Sequence, residues 1–124
     1  MRIRGTALVL NNEKILLVRD LDAHKFSFPG GGANPNEPCM AAAIRELFEE
    51  LGMEAISAER LFNCDYRGSV NHHHVVLIQS PDEPCCNPKE IAEFHWWDGL
   101  GNLPRQPHVD AILDRWHRHT QVQK

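Results

Sequence analysis

The stretch from Pro38 to Leu51 constrains this chain most, because it reads as a helix whose charges are badly placed for helix stability. Ala41, Ala42 and Ala43, then Arg-Glu-Leu-Phe-Glu-Glu-Leu, favour helix throughout. Gly52 stands just past the end, where a left-handed residue is wanted. Met40, Ile44, Leu47 and Leu51, with Phe48 beside them, form an apolar stripe that can pack on a sheet. Glu46, Glu49 and Glu50 share a face nearly opposite that stripe, and small Ala42, one turn earlier, leaves them accessible. Like charges at these spacings repel by roughly 0.2–0.5 kcal/mol per pair. Glu49 and Glu50 also sit at the negative end of the helix dipole, a mismatch of about 0.3–1 kcal/mol each. A helix selected for stability alone would carry lysines there. Clustered carboxylates with no adjacent Lys supply what a hard divalent cation needs, namely oxygen ligands and negative charge. Metal binding explains the pattern better than a solvated acidic face does.

Before this helix come Phe26-Ser27-Phe28, a brief predicted strand, and Pro29-Gly30-Gly31-Gly32, which ends it. Glycines at such a place let the backbone approach a ligand or a neighbouring element without interference from a Cβ. Two short β-rich runs, Thr6 to Leu10 and Lys14 to Val18, form a hairpin about Asn11-Asn12-Glu13. A second hairpin is expected from Arg60 to Tyr66 and His72 to Gln79, turning at Arg67-Gly68-Ser69. The proline-containing segment Ser80 to Lys89 reads as a loop, and Phe94 to Trp97 as a last strand. Val109, Ile112, Leu113 and Trp116 mark a terminal amphipathic helix. Strands interleaved with two helices predict a sheet with helices on its faces.

A chain of 124 residues suits one domain, residues 1–124. Apolar runs are far shorter than a bilayer-spanning helix, and Met1 to Arg4 lead straight into a strand with no signal region, so a cytoplasmic protein is expected. Cys39, Cys64, Cys85 and Cys86 form no C-x-x-C pair and read as free thiols. The net charge of −4 argues against a general nucleic-acid binder. If the ligand is a polyanion, something cationic must mediate.

From Gly31 to Met53 the sequence reads GGANPNEPCMAAAIRELFEELGM. Gly31, Glu37, Arg45-Glu46-Leu47, Glu49-Glu50 and Gly52-Met53 fill every position of G-x5-E-x7-R-E-U-x-E-E-x-G-U, where U is a bulky aliphatic residue. The chain thus resembles the short, MutT-like members of the Nudix hydrolase family. That resemblance implies an α/β/α sandwich with a mixed β-sheet between helices, and a Mg²⁺- or Mn²⁺-dependent hydrolase of phosphate anhydrides. Expected substrates are nucleoside diphosphates linked to another group, nucleoside triphosphates among them. It also implies metal binding by Glu46, Glu49, Glu50 and the Gly30 carbonyl, with Arg45 counted in the catalytic constellation. Glu37 and Arg45 are expected to form an ion pair holding loop to helix, and Gly31 and Gly52 to be structural. The family often recruits one further acid before the last strand, and here Glu90 ranks ahead of Glu93. Glu46 competes as the general base. Pro38 departs from the usual Ser or Thr cap and leaves the helix start open.

Other features are weaker. On a strand, at most His72 and His74 of the triple histidine could share a ligand, and no third donor has matching spacing, so surface or core-edge histidines are expected. Phe94, Trp96 and Trp97 read as packing residues, and Phe26 or Tyr66 as candidates for base stacking. Two alternatives stay open: a Nudix-fold module that binds a nucleotide without hydrolysing it, and a hydrolase of a non-nucleotide diphosphate. Neither base, sugar nor oligomeric state is legible.

Overall fold

A computed structural model describes residues 1–122. Its strands are β1 (Arg2–Leu8), β2 (Leu10–Asn11), β3 (Lys14–Asp20), β4 (Gly30–Gly32), β5 (Ser57–Arg60), β6 (Tyr66–Arg67), β7 (Asn71–Gln79) and β8 (Ile91–Trp97). The helices are α1 (Cys39–Leu51) and α2 (Pro107–Val122), with a short 3-10 turn at Phe62–Cys64. The larger sheet runs β4-β1-β7-β5, with β6 also on β7, and the smaller runs β2-β3-β8. Strands β1 and β7 are parallel and the other pairs antiparallel, so the larger sheet is mixed.

Side-chain alternation along the strands explains the two helical layers. Leu8 of β1, Ile15 and Leu17 of β3 and Val75 of β7 join Val109, Ile112 and Leu113 of α2 in one core. Their neighbours Ala7, Leu16, Val18, Val76 and Ile78 join Ala43, Leu47 and Leu51 of α1 in the other. Apolar runs such as ILLV in β3 are therefore buried on both faces. The expected α/β/α architecture is present, with the central layer divided into two sheets.

The first hairpin is narrower than its expected span. Strand β1 belongs to the larger sheet, and only Leu10 and Asn11 pair back on β3, across Asn12 and Glu13, both at positive φ. Such left-handed pairs match the twist of a two-residue hairpin, and Asn favours them. In the second hairpin region, β5 and β6 pair with β7 at separate places, with the 3-10 turn between them.

The stretch Phe26 to Phe28 is not a strand. It makes isolated bridges, Ser27 to Val18 and Phe26 to Arg105, while Phe26 and Phe28 go into the core. The glycine run is the strand instead, with Gly30 facing Thr6 and Gly31 facing Gly5. Gly30 has φ 142°, and a Cβ there would collide with the Gly5 carbonyl oxygen. Only glycine fits this pairing.

Helix α1 starts at Cys39, one residue inside the expected start, with Pro38 in extended conformation as an N-cap lacking a side-chain hydrogen bond. It ends as the sequence implies. Gly52 adopts φ 66° and donates its N–H to Phe48 O at 2.8 Å. Phe48 does not join the apolar stripe and is 53% exposed, because the core face is already filled by Ala43, Leu47 and Leu51. Ala42 and Glu50 are buried too, so one edge of the acidic face turns inward. The cause lies in β1, where a Cβ on Gly5 would collide with Cys39 O and press on Ala43 N. A bare glycine lets α1 settle directly onto the sheet.

Candidate active site

The three helical carboxylates are not equivalent. Glu49 is the most open and accepts from Arg45 Nη1 at 3.1 Å. Glu46 accepts from the same nitrogen at 2.8 Å and lies against Gly31, where a Cβ would come within 2.5 Å of the Glu46 Cδ. Glu50 is only 7% exposed, has no ion pair among the described residues, and accepts the Gly30 N–H on Oε1 at 3.0 Å. Burial pushes its carboxyl up to about 8, reinforced by Glu46 and Asp20 and opposed by the Gly30 amide and Arg4. A carboxylate so placed lacks a cation.

Arg45 organises the neighbouring loop. Its Nε and Nη2 donate to the two oxygens of Glu37 at 2.9 Å each, and Nη2 reaches Gly32 O at 3.2 Å. Glu37 also accepts the Asn34 N–H at 2.9 Å. The Arg45 hydrogen bonds, with the Asn34 amide, hold the Glu37 carboxyl down at about 2. The expected ion pair between loop and helix is therefore present. Arg45 also does what sequence reading left to a metal alone, relieving the repulsion between Glu46 and Glu49 at their base. Glu50 is left out of that relief.

The loop before β8 caps the helix end. Asn87 donates its N–H to Glu50 O at 2.8 Å and its amide side chain to Glu49 O at 3.2 Å, while Cys85 N–H reaches Leu51 O. These bonds satisfy carbonyls that a helix C-terminus leaves open. Asn87 also donates to Glu90 Oε2 at 3.2 Å. Glu90 thereby lines the same cleft as Glu50, a space of about 490 Å³ completed by Asp20, Asp22 and Lys89. Glu93 lies apart, paired on the surface with Arg19 at 2.9 Å. Sequence reasoning missed Asp20 and Asn87. Each looks like an ordinary loop polar residue until the fold sets it beside the helix end.

The histidines divide by strand alternation. His72 and His74 share a face, with ring centroids 4.5 Å apart, and the fold brings Asp65 to them as the third donor that spacing alone did not reveal. That cluster already holds a cation. Arg60 donates to both Asp65 oxygens at 2.8 and 2.7 Å and approaches His74 Nδ1 at 3.1 Å. It does not suit a metal. His73 points the other way and is buried, its Nδ1 2.8 Å from Thr6 Oγ1. Among the aromatics, Phe26 is core and closed to a base, whereas Tyr66 lines a second cleft beside His73. Trp97 is buried and Trp96 half-buried, as expected of packing residues, but Phe94 is 36% exposed. The four cysteines are free. No helix among the described residues is long and apolar enough to cross a membrane.

The loop-and-helix carboxylate cluster on this two-sheet α/β/α frame, with the glycine strand against it, identifies the fold class, and comparison with known proteins gives the family. The NUDIX domain family matches residues 1–123, and the chain belongs to the Nudix hydrolase family. It is 27% identical over 122 residues to the mouse nucleoside diphosphate-linked moiety X motif 6, covering 91% of this chain and 39% of that protein. It is 39% identical over 49 residues to an RNA pyrophosphohydrolase of Erwinia tasmaniensis, covering 40% of this chain and 28% of that one. The chain thus spans less than half the length of these curated relatives. Among solved structures, a Nudix hydrolase family member from Chromobacterium violaceum superposes with a TM-score of 0.82 at 28% identity, covering 95% of this chain and 77% of that one.

Proposed function

We propose that this protein is a divalent-metal-dependent hydrolase that cleaves a phosphate anhydride in a nucleoside diphosphate linked to another group, such as a nucleoside triphosphate. The observation that carries the reading is Glu50, a buried carboxylate with one backbone hydrogen bond, no ion pair among the described residues and Glu90 and Asp20 across the same cleft. The donor set is all oxygen, which suits Mg²⁺ or Mn²⁺ and not a thiolate-seeking ion. Glu46, Glu49, Glu50, the Gly30 carbonyl and Glu90 would hold the ion or ions. When bound, the metal supplies positive charge toward the phosphates and lowers the pKa of an attacking water.

The remaining chemistry belongs to the chain. Glu46, held between Gly31 and Arg45, would take the proton of the attacking water. Arg45 keeps Glu46 and Glu49 aimed from the helix while anchoring the glycine loop through Gly32 O and Glu37. Glu90 rides on the loop that Asn87 ties to the helix end, so its approach is set by that cap. In this reading residues 1–124 form one domain acting on small molecules in the cytoplasm, not on nucleic acid.

The alternative of a binding module without catalysis is disfavoured, since all three helical carboxylates are present. A hydrolysis screen over nucleoside triphosphates, nucleotide sugars, dinucleoside polyphosphates and prenyl diphosphates, with Mg²⁺ and with EDTA, tests the proposal by detecting phosphate and pyrophosphate. Turnover of at least one nucleotide that stops in EDTA is expected. Hydrolysis of none, or hydrolysis unchanged by EDTA, would overturn it.

A further inference from the structure

The cleft that holds Glu50 and Glu90 is walled by two short turns, and both are pinned. On one side the chain turns at the end of β3, where Ala23 N–H reaches Asp20 O at 3.0 Å and Arg19 Nη1 donates to Ala23 O at 3.0 Å. On the other, the N–H groups of Glu90 and Ile91 both reach Asn87 O, at 3.0 and 2.9 Å. Lys89 N–H closes the same turn on Asn87 Oδ1 at 3.1 Å, an Asn side chain standing in for backbone. Since Asn87 also caps α1 at Glu49 O and Glu50 O, this turn is seated on the helix end. Leu21 N–H joins the two walls by donating to Glu90 O at 3.2 Å. The backbone of Lys89 is thereby set beside the helical carboxylates.

Lys89 is the one cation among the described residues that line this cleft, against the carboxylates of Asp20, Asp22, Glu50 and Glu90. The other cations close by are already spent. Arg45 donates from Nε, Nη1 and Nη2 to Glu37, Glu46, Glu49 and Gly32 O. Arg19 uses both terminal nitrogens, one on Ala23 O and one on Glu93. Lys89 is exposed and makes no ion pair among the described residues, although acids share its cleft. Even its neighbour Glu90 is engaged elsewhere, by the Asn87 amide at 3.2 Å. An ammonium left free on a fixed turn is a point charge available to an incoming anion.

We propose that Lys89 binds the phosphate chain of the substrate directly, its ammonium donating to a non-bridging oxygen at the mouth of this cleft. The carboxylates meet the same chain only through metal, so Lys89 supplies the positive charge that the protein itself brings to that phosphate. The competing role is a structural one. Helix α1 has no basic residue in its last turn, and a lysine near its C-terminus would also offset the helix dipole. The two roles differ in what they stabilise. A lysine serving the dipole steadies the free protein, whereas a lysine serving phosphate changes only the complex.

The inference rests on the phosphate-anhydride reading, and the experiment separates the two. Methylenediphosphonate, whose carbon bridge cannot be hydrolysed, is titrated with Mg²⁺ into wild type, Lys89→Met and Lys89→Arg by calorimetry. Lys89→Met should bind it about 3–10-fold more weakly, as expected of one exposed charge-assisted contact, and Lys89→Arg should recover most of the loss. Added salt should narrow the gap between wild type and Lys89→Met. Metal-free melting temperatures of the three proteins should agree. On the best nucleotide of the hydrolysis screen, Lys89→Met should raise KM by a similar factor with a much smaller change in kcat. No binding by wild type, or equal binding by wild type and Lys89→Met, would overturn the assignment and leave any hydrolysis standing. A lowered melting temperature with unchanged binding would likewise assign Lys89 to the helix dipole and overturn it. Binding that falls in Lys89→Met and returns in Lys89→Arg, without hydrolysis of any nucleotide, would support the phosphate contact and remove the activity.

Discussion

The α1 side and the α2 side of the larger sheet both place polar groups in the interior, and they solve the resulting problem in opposite ways. On the α1 side, charge is met by charge within a short stretch of chain. Arg45 serves Glu37, Glu46 and Glu49, and only Glu50 is left for something else. On the α2 side, ionisable groups stay uncharged or unpaired. Burial, with Arg4 and His72 adding to it, pulls His73 down to about 4, and burial, with His73 and Arg4, pulls His108 down to about 3. The first arrangement leaves one carboxylate open to a cation, and the second keeps its imidazoles neutral by burial. The difference teaches that one sheet can keep two kinds of polar group apart on its two faces, because strand alternation keeps the two residue sets from meeting.

Carboxylate substitutions test the α1 side and carry the largest expected effects. Glu49→Gln and Glu50→Gln should each lower turnover by on the order of 10²-fold or more at saturating Mg²⁺. The metal-free melting temperature of Glu50→Gln should be unchanged or raised, since its buried carboxylate has no cation. Among acids competing for the base, Glu46→Gln should show the largest loss, Glu90→Gln an intermediate one, and Glu93→Gln almost none, because Glu93 sits on the surface with Arg19. A series of kcat values against Mg²⁺ concentration checks the order. A silent Glu90→Gln would remove the loop acid from the site, and near wild-type turnover in both Glu49 and Glu50 variants would remove the metal role.

A smaller effect is expected from pH on the α2 side. In the unfolded chain His73 and His108 take up protons near pH 6.5, whereas the folded protein holds them neutral until about 4 and 3. The unfolded state binds more protons in that window, so folding stability should fall as pH drops from 6.5 toward 4, by up to about 1.4 kcal/mol per pH unit for each histidine. Arg4, which opposes protonation, Tyr66 and neutral Thr6 face the pair, while the charge of His72 acts from the other face of β7. Urea unfolding at pH 7 and pH 4.5 measures the loss, and His108→Gln should reduce the difference. An equal pH slope in wild type and variant would show that the pair is not held neutral by burial.

The same contrast explains what could be read from the sequence. The αL turn at Gly52 and the acidic face are local offsets within one helix, and periodicity is enough to find them, whereas the Glu37–Arg45 pair is implied by the family resemblance. The fate of Glu50 was not legible, because its burial depends on the missing side chains of Gly5 and Gly30 on two other strands. Phe48 misled for a related reason. It neighbours the apolar stripe, but the core was already filled by smaller residues. The polar groups on the α2 side of the larger sheet were almost invisible. Arg4, His73 and His108 come from β1, β7 and α2, and only the parallel β1–β7 register and the packing of α2 bring them together. His72 and His74 read as surface or core-edge histidines, and what the sequence hid was Asp65 beside them, with Arg60 as the resident cation of the cluster.

In the proposed function Glu50, buried and without an ion pair among the described residues, binds a divalent metal shared with substrate phosphates. Titrating Mn²⁺ into wild type and Glu50→Gln, followed by water proton relaxation with and without a non-hydrolysable nucleoside triphosphate, tests it most directly. Wild type should bind Mn²⁺ weakly alone and at least about tenfold more tightly with the nucleotide present, since such ions share their coordination with phosphates. Glu50→Gln should lose most of that gain. Identical titrations for the two proteins, with and without nucleotide, would contradict the account.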